Sequence, residues 1–501
     1  MERRWGAGRS AAVLAVLGLT GTAVGVPAVA AEPGGEPAAQ VRWGACPEGV
    51  DDPALPARLQ CATVPVPLDY GDPGGAKIEL TISRLASTDP DQRRGVLLLN
   101  PGGPGGTGLD QPEFLASQGM PNSVLDSYDL IGMDTRGVGH STPVSCGFTT
   151  DQAYFGNIPP YAVDEAAVAE QATIAQGVAE QCAANDERLP HLSTANMARD
   201  LDEIRAALGE EKASFLGYSY GTALGAAFAS MFPERADRIV LDSNIGDTHL
   251  THEGMRRYGR GMEETFPDFA RWAAARHGSY GLGRTPEAVR ATYFTLAERL
   301  DETPVDGING GLFRLATFAS LYNENSYGQM AQTWQSLLDG ATAPAEIPPA
   351  PAAPSPNDNA WSVFLAVTCN DVEWPEDVGT YQRAVAEDRE KHPLYGAAAA
   401  NIMPCAYWQQ GPSEPPVAVN DDGPTNVLVV QNQRDPVTPL RGGELIDEKF
   451  GDRSRLVSVD ASGHGAYVLG DNPCALNVTT KYLVDGTLPE HDMTCEAPTS
   501  G

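Results

Sequence analysis

The residues best suited to do chemistry lie at 217–221, where Gly217-Tyr218-Ser219-Tyr220-Gly221 separates an apolar run, "SFLGY", from a run of small residues, "GTALGAAFASM". A strand that turns straight into a helix forces the turning residue into strained backbone and brings chain segments so close that only small residues fit on either side. The hydroxyl of Ser219 is then lifted above the strand end, and the next backbone N–H, that of Tyr220, points into the same space. G-x-S-x-G also arises by chance in a chain with 53 glycines. An apolar strand before it and a small-residue helix after it make this one a nucleophile.

A hydroxyl attacks a carbonyl only once a base removes its proton, so Ser219 requires a histidine, and the imidazolium that forms requires an oriented carboxylate. Around such a strand-turn-helix serine the order is Ser, acid, His, each just beyond a strand. His464, in "ASGHGAY", alone follows both an apolar strand and a suitable acid; His491 lies in the tail between two cysteines, and His140, His191, His249, His252, His277 and His392 precede the acid. That acid is Asp435, at the end of "NVLVVQNQRD". Its competing reading is the cap of a helix beginning near Pro439. Thr438 is spaced to hydrogen-bond beside it.

The oxyanion formed at the attacked carbonyl needs two donors. Tyr220 N–H is one. The glycine-rich "LLLNPGGPGGTG" (97–108) follows another apolar run and exposes backbone N–H groups, so Gly103 is the second, with Gly102 as the alternative. Gly103, Gly105 and Gly108 also fit a dinucleotide fingerprint, but that motif leads straight into a helix and needs an acid at the end of a second strand. Asp126 and Asp129 fall before the next strand, and Ser219 would be left unexplained. "DTRGVGHS" (134–141) is expected to shape the wall beside the site, with Asp134 and His140 as lesser catalytic candidates. "HEGMR" lacks the second histidine of a zinc peptidase helix, and no pair of cysteines has zinc spacing, so neither metal nor cofactor is expected.

These groups must be carried by a scaffold that brings distant segments to one edge. Apolar strand-like runs at 77–86, 94–100, 127–134, 213–219, 237–244, 425–435 and 454–464 alternate with helical patterns such as Met197, Leu201, Ile204 and Leu208 behind Thr194 as N-cap. Such alternation predicts a mostly parallel sheet flanked by helices, an α/β core over 31–245 and 421–501. The interval 246–420 breaks the rhythm with helical, aromatic-rich segments and the proline-rich "ATAPAEIPPAPAAPSPNDN" (341–359), and is read as an inserted cap.

The chain has 501 residues, 42% of hydrophobic type, enough for a large core. Residues 1–30 carry three arginines, an apolar run and small residues ending in Ala28-Val29-Ala30, the pattern of a secretory signal peptide. No later stretch approaches 18 apolar residues, so the exported chain is expected to be soluble, unanchored and monomeric. Eight cysteines in an exported chain suggest disulfides, and neighbour pairing (46 with 61, 146 with 182, 369 with 405, 474 with 495) closes the shortest loops. The net charge of −32 repels nucleic acid and anionic membranes.

Taken together, "NPGGPGGTG", "DTRGVGHS", "GYSYGT", "TCND" (368–371), "QNQRDPVTP" and "GHGAY" resemble the secreted tripeptidyl aminopeptidases, relatives of the proline iminopeptidases within the α/β-hydrolase fold. The likeness runs from about residue 40 to the end. Proline iminopeptidases carry a histidine before the GGPG run, where this chain has Asn100-Pro101, which favours the tripeptidyl branch. The resemblance implies a serine exopeptidase acting on peptide or protein N-termini, with Ser219, Asp435 and His464 as its triad. An exopeptidase must recognise an ammonium, and Asp371 and Glu373, in "TCNDVEW", are the candidates. A serine esterase or thioesterase would use the same triad under a more apolar cap. A non-catalytic binding protein would have no need of the intact Ser, Asp, His order.

Overall fold

Nine strands, β1 (Leu59–Pro67), β2 (Lys77–Leu85), β3 (Gly95–Asn100), β4 (Tyr128–Met133), β5 (Ala213–Tyr218), β6 (Ala236–Asp242), β7 (Val427–Arg434), β8 (Ser454–Ser462) and β9 (Met493–Cys495), form one sheet in a computed structural model. The structure describes residues 41–50, 59–154, 156–305, 307–340 and 353–497. Strand order is β1-β2-β4-β3-β5-β6-β7-β8-β9. The pairs β1/β2 and β2/β4 are antiparallel and all others parallel. The proposed signal segment 1–30 and most of the proline-rich stretch lie outside the described residues.

Burial explains the strand sequences. Every residue of β3, β4 and β5 is buried, because helices cover both faces, so these strands read as unbroken apolar runs. At the edge, β1 alternates instead, and it carries Pro65 and Pro67. Two prolines hide this strand from a sequence reading, yet an edge strand tolerates them because one row of its N–H groups has no ladder partner.

The helix Tyr220–Met231 is buried along nearly its whole length, which its glycines and alanines permit. The helix Thr194–Ala207 forms as expected, but its cap is Ser193, whose side chain accepts from Asn196 N–H; Thr194 has other partners, described below. Between β6 and β7 the described elements are helices, the longest being His252–Ala275, joined to Pro286–Glu302, Gly310–Ser320, Tyr327–Leu338 and Asp358–Asp371. Trp334 is buried among Phe269, Tyr293 and Phe313, with ring centroids 5.2 to 5.7 Å apart. The described residues form one compact unit.

The four disulfides join Cys46–Cys61, Cys146–Cys182, Cys369–Cys405 and Cys474–Cys495, the neighbour pairing expected from spacing. Among the described residues, no helix is long and apolar enough to cross a membrane.

Candidate active site

Ser219 sits one residue beyond β5 with φ +57° and ψ −127°, a conformation that L-residues rarely adopt. Its glycine neighbours are there for space. A Cβ on Gly217 would lie 2.4 Å from Gly221 O, and one on Gly221 would lie 2.8 Å from Asn100 O. The bend is held by Ser219 N–H donating to Asp242 O (3.0 Å) and by Thr222 N–H donating to Ser219 O (2.9 Å).

The glycine-rich loop after β3 closes on this bend. A Cβ on Gly102 would lie 2.9 Å from Ser219 Cβ and 3.2 Å from Tyr220 N. Gly102 N–H is engaged by Asn100 Oδ1 at 3.0 Å, which favours Gly103 over Gly102 as a free donor beside Tyr220. Gly105 and Gly108 serve close packing: added Cβ atoms would strike Ala360 O and Met133 O. Asp134 braces the same loop, accepting from Gly108 N–H (2.9 Å) and His140 N–H (2.8 Å). Asp134 thereby ties the segment 134–141 to the glycine-rich loop.

Asp435 follows β7 immediately and is fully buried, yet four groups satisfy its carboxylate. Val437 N–H and Thr438 N–H donate to Oδ1, both at 2.9 Å, and Thr438 Oγ1 donates to Oδ2 at 2.8 Å. His464 Nδ1 lies 2.9 Å from Oδ2 and 3.1 Å from Oδ1. Thr438 Oγ1 is also 3.3 Å from His464 Nδ1, so this threonine touches both members of the pair. With Nδ1 facing the acid, Nε2 is the nitrogen left for a substrate-side proton.

Burial works against a charged imidazolium at His464. The charge and hydrogen bond of Asp435 outweigh it, with a further contribution from Asp242, and the histidine titrates above its ordinary value. Its loop is fixed from several sides: His464 N–H donates to Tyr322 O (2.8 Å), and Asn432 Nδ2 donates to the carbonyls of Gly463 and Gly465. The Tyr322 ring stands edge-on to the imidazole, with centroids 5.2 Å apart.

The structure does not gather the two amine candidates at this histidine. Asp371 is buried at the end of the helix Asp358–Asp371, and its oxygens accept from Thr194 N–H (2.7 Å) and Thr194 Oγ1 (2.6 Å). Burial pushes its carboxyl up to about 7. Thr194 Oγ1 in turn lies 2.6 Å from Tyr220 Oη, so Asp371 is tied through Thr194 to the residue after the serine. Glu373 is exposed. A cavity of about 350 Å³ that His464 does line is instead bordered by Asp268, Glu324, Asp460 and Asp471, with Arg434 paired to the first and third. Spacing gave no sign of these acids, which come from four separate segments. Among the described residues, no group of three or more His, Cys, Asp or Glu side chains is arranged to hold a metal ion.

Residues 95–471 match the family described as alpha/beta hydrolase fold. The chain is 35% identical over 459 residues to a tripeptidyl aminopeptidase of Streptomyces coelicolor, covering 88% of this chain and 84% of that one. It is 30% identical over 485 residues to the serine protease Hip1 of Mycobacterium tuberculosis, 91% of each chain. A carboxylesterase B of the same organism is 30% identical over 477 residues, covering 91% of this chain and 90% of that one.

Proposed function

Because the chain belongs to the α/β hydrolase fold family and is a homologue of tripeptidyl aminopeptidases, we propose that it is a secreted serine exopeptidase that cleaves peptides near a free N-terminus, with Ser219, His464 and Asp435 as its triad. One observation carries the reading: a histidine held 2.9 Å from a buried, fully satisfied carboxylate, on the strand edge where Ser219 heads a helix.

Ser219 Oγ attacks the scissile carbonyl carbon while His464 Nε2 takes its proton. The carbonyl oxygen becomes an oxyanion facing the N–H groups of Gly103 and Tyr220. Collapse breaks the C–N bond, the leaving amine takes the proton from His464, and an ester remains on Ser219. Water, deprotonated by the same nitrogen, then attacks that ester and returns the proton to Ser219 as the acid departs. Asp435 keeps its charge throughout and stabilises the imidazolium, and Thr438 fixes the angle between the two.

The acidic cavity lined by His464, though not by Ser219, has more carboxylates than its one arginine, a charge balance that suits a substrate with a free ammonium. Four disulfides and the leader-like N-terminus support export. The 30% identity to a carboxylesterase favours a second reading, a serine esterase on the same scaffold. A fluorogenic panel separates them: Ala-Ala-Pro-, Ala- and Pro-aminocoumarin, an N-blocked tripeptide and a short p-nitrophenyl ester. The exopeptidase requires preference for the unblocked tripeptide. Equal cleavage of blocked and unblocked forms contradicts it, and turnover of the ester alone assigns the esterase.

A further inference from the structure

The strand order poses a problem of reach. Neighbouring strands lie about 4.8 Å apart, so β8, which carries His464, ends about 14 Å from β5, which carries Ser219. The loop after β8 must run back across β7 and β6 to bring the imidazole to the hydroxyl. Its hydrogen bonds trace that path. Gly463 N–H donates to Arg434 O at the end of β7 (2.9 Å), Gly465 N–H donates to Ser243 Oγ just past β6 (2.8 Å), and Tyr218 Oη on β5 donates to Tyr467 O (2.9 Å).

In the middle of this crossing stands Asp242, the last residue of β6, buried and paired in register with Tyr218 of β5 and Val430 of β7. Its side chain accepts from Ala466 N–H (3.0 and 3.2 Å), Tyr467 N–H (2.7 Å) and Ser243 Oγ (3.0 Å). Its backbone carbonyl accepts the N–H of Ser219 itself (3.0 Å). One residue therefore holds the backbone of the nucleophile with its main chain and the backbone of the base's loop with its carboxylate. Ser243, which follows it, has φ +62°, a strained conformation for a side-chain-bearing residue and one that aims its hydroxyl at both Asp242 and Gly465.

We propose that Asp242 is a positioning residue of the catalytic machinery, a second buried acid that seats the His464 loop against Ser219 and supplies negative charge to the imidazole. The proposal rests on the triad reading above. Burial raises the Asp242 carboxyl to about 6, opposed by the backbone N–H groups it accepts, so at neutral pH and above it is ionised. The other titratable groups at His464 are Asp435 beyond β7 and Tyr322, whose ring stands edge-on to the imidazole, with Tyr258 behind them coupled to Asp435 and Tyr322; burial holds both phenols above their ordinary value. Across the cavity stand Asp268, Glu324, Asp460, Asp471 and Arg434.

A carboxylate near His464 favours the imidazolium, so its removal lowers the histidine's pKa. Catalysis needs the neutral imidazole, so the acid limb of kcat/KM then moves to lower pH.

The test is the pH dependence of kcat/KM on the best substrate of the panel for wild type, Asp242→Asn, Asp242→Glu and Ser243→Ala. Asp242→Asn is expected to lower the alkaline plateau about tenfold, through kcat rather than KM, and to move the acid limb down by about 0.5 pH unit. Asp242→Glu keeps the charge but not the reach, so its limb stays with wild type while its plateau falls. Ser243→Ala lowers the plateau without moving the limb. A wild-type plateau and limb in Asp242→Asn overturns the proposal, as does a lowered plateau with an unmoved limb. Should the asparagine variant fail to fold, wild-type kcat in Asp242→Glu overturns it equally. Full activity in Ser219→Ala, measured alongside, would instead sink the triad reading.

Discussion

The strand ends that carry the site and the helical interval between β6 and β7 are both densely packed, but different forces hold them. At the strand ends, Asp435, Asp242 and the 463–467 loop are fixed by directional hydrogen bonds, many of them to backbone groups, around two serines in strained backbone. In the helical interval, Trp334, Phe269, Tyr293 and Phe313 are held by apolar area and ring contacts, which tolerate a change of shape better than a hydrogen bond tolerates a change of angle. Chemistry that fails with a displacement of about 1 Å belongs on the first kind of support. Substrate selection can be built on the second.

If that division is real, substitutions at the strand ends should reduce kcat in a stably folded protein, and substitutions in the helices should act on stability or KM. The largest effect is expected from Ser219→Ala, a loss of about 10⁴-fold or more in kcat with an unchanged melting temperature. Asp435→Asn should follow, at about 10³- to 10⁴-fold, because the histidine loses its anionic partner and its preferred tautomer. Trp334→Ala should do the reverse. Emptying that fully buried site is expected to remove about 3–5 kcal/mol of unfolding free energy, read from denaturant titration, while kcat of the folded fraction stays within a few-fold of wild type. A collapse of kcat in fully folded Trp334→Ala would break the comparison.

Smaller effects sharpen it. Removing the carboxylate in Glu324→Gln should raise KM for an unblocked tripeptide about threefold and leave KM for a neutral ester unchanged. Asp371→Asn should leave both KM values unchanged, since that side chain serves Thr194. In the wild-type enzyme, kcat/KM should fall as pH drops through the His464 titration, because the protonated imidazole cannot take the serine proton. Its neighbouring carboxylates raise that titration, so the midpoint should lie above that of an ordinary histidine, about 6.5.

The sequence made legible what depends on local pattern. Seven strands show as apolar runs, and Ser219, Asp435 and His464 stand out because each terminates one of them. The short β9 and the proline-bearing β1 escape notice because edge strands need neither length nor an unbroken apolar run. Asp242 escaped for a different reason. At the end of "RIVLD" it looks like any strand-terminal acid, and its partners Ala466 and Tyr467 are more than 200 residues away in sequence. The partner of Asp371 is equally invisible in "TCNDVEW": Thr194, which donates to both its oxygens, lies 177 residues away in sequence. Long-range register decides such roles, and it becomes visible only once strand order is known.

The central claim is that one hydroxyl, at the bend between β5 and its helix, is the group activated for acyl transfer. Stoichiometric labelling with a fluorophosphonate, followed by peptide mapping, tests it most directly. A single adduct on Ser219, formed in step with loss of hydrolysis and absent from His464→Ala, is the expected result. An adduct on another residue, or full activity in the labelled protein, would contradict it.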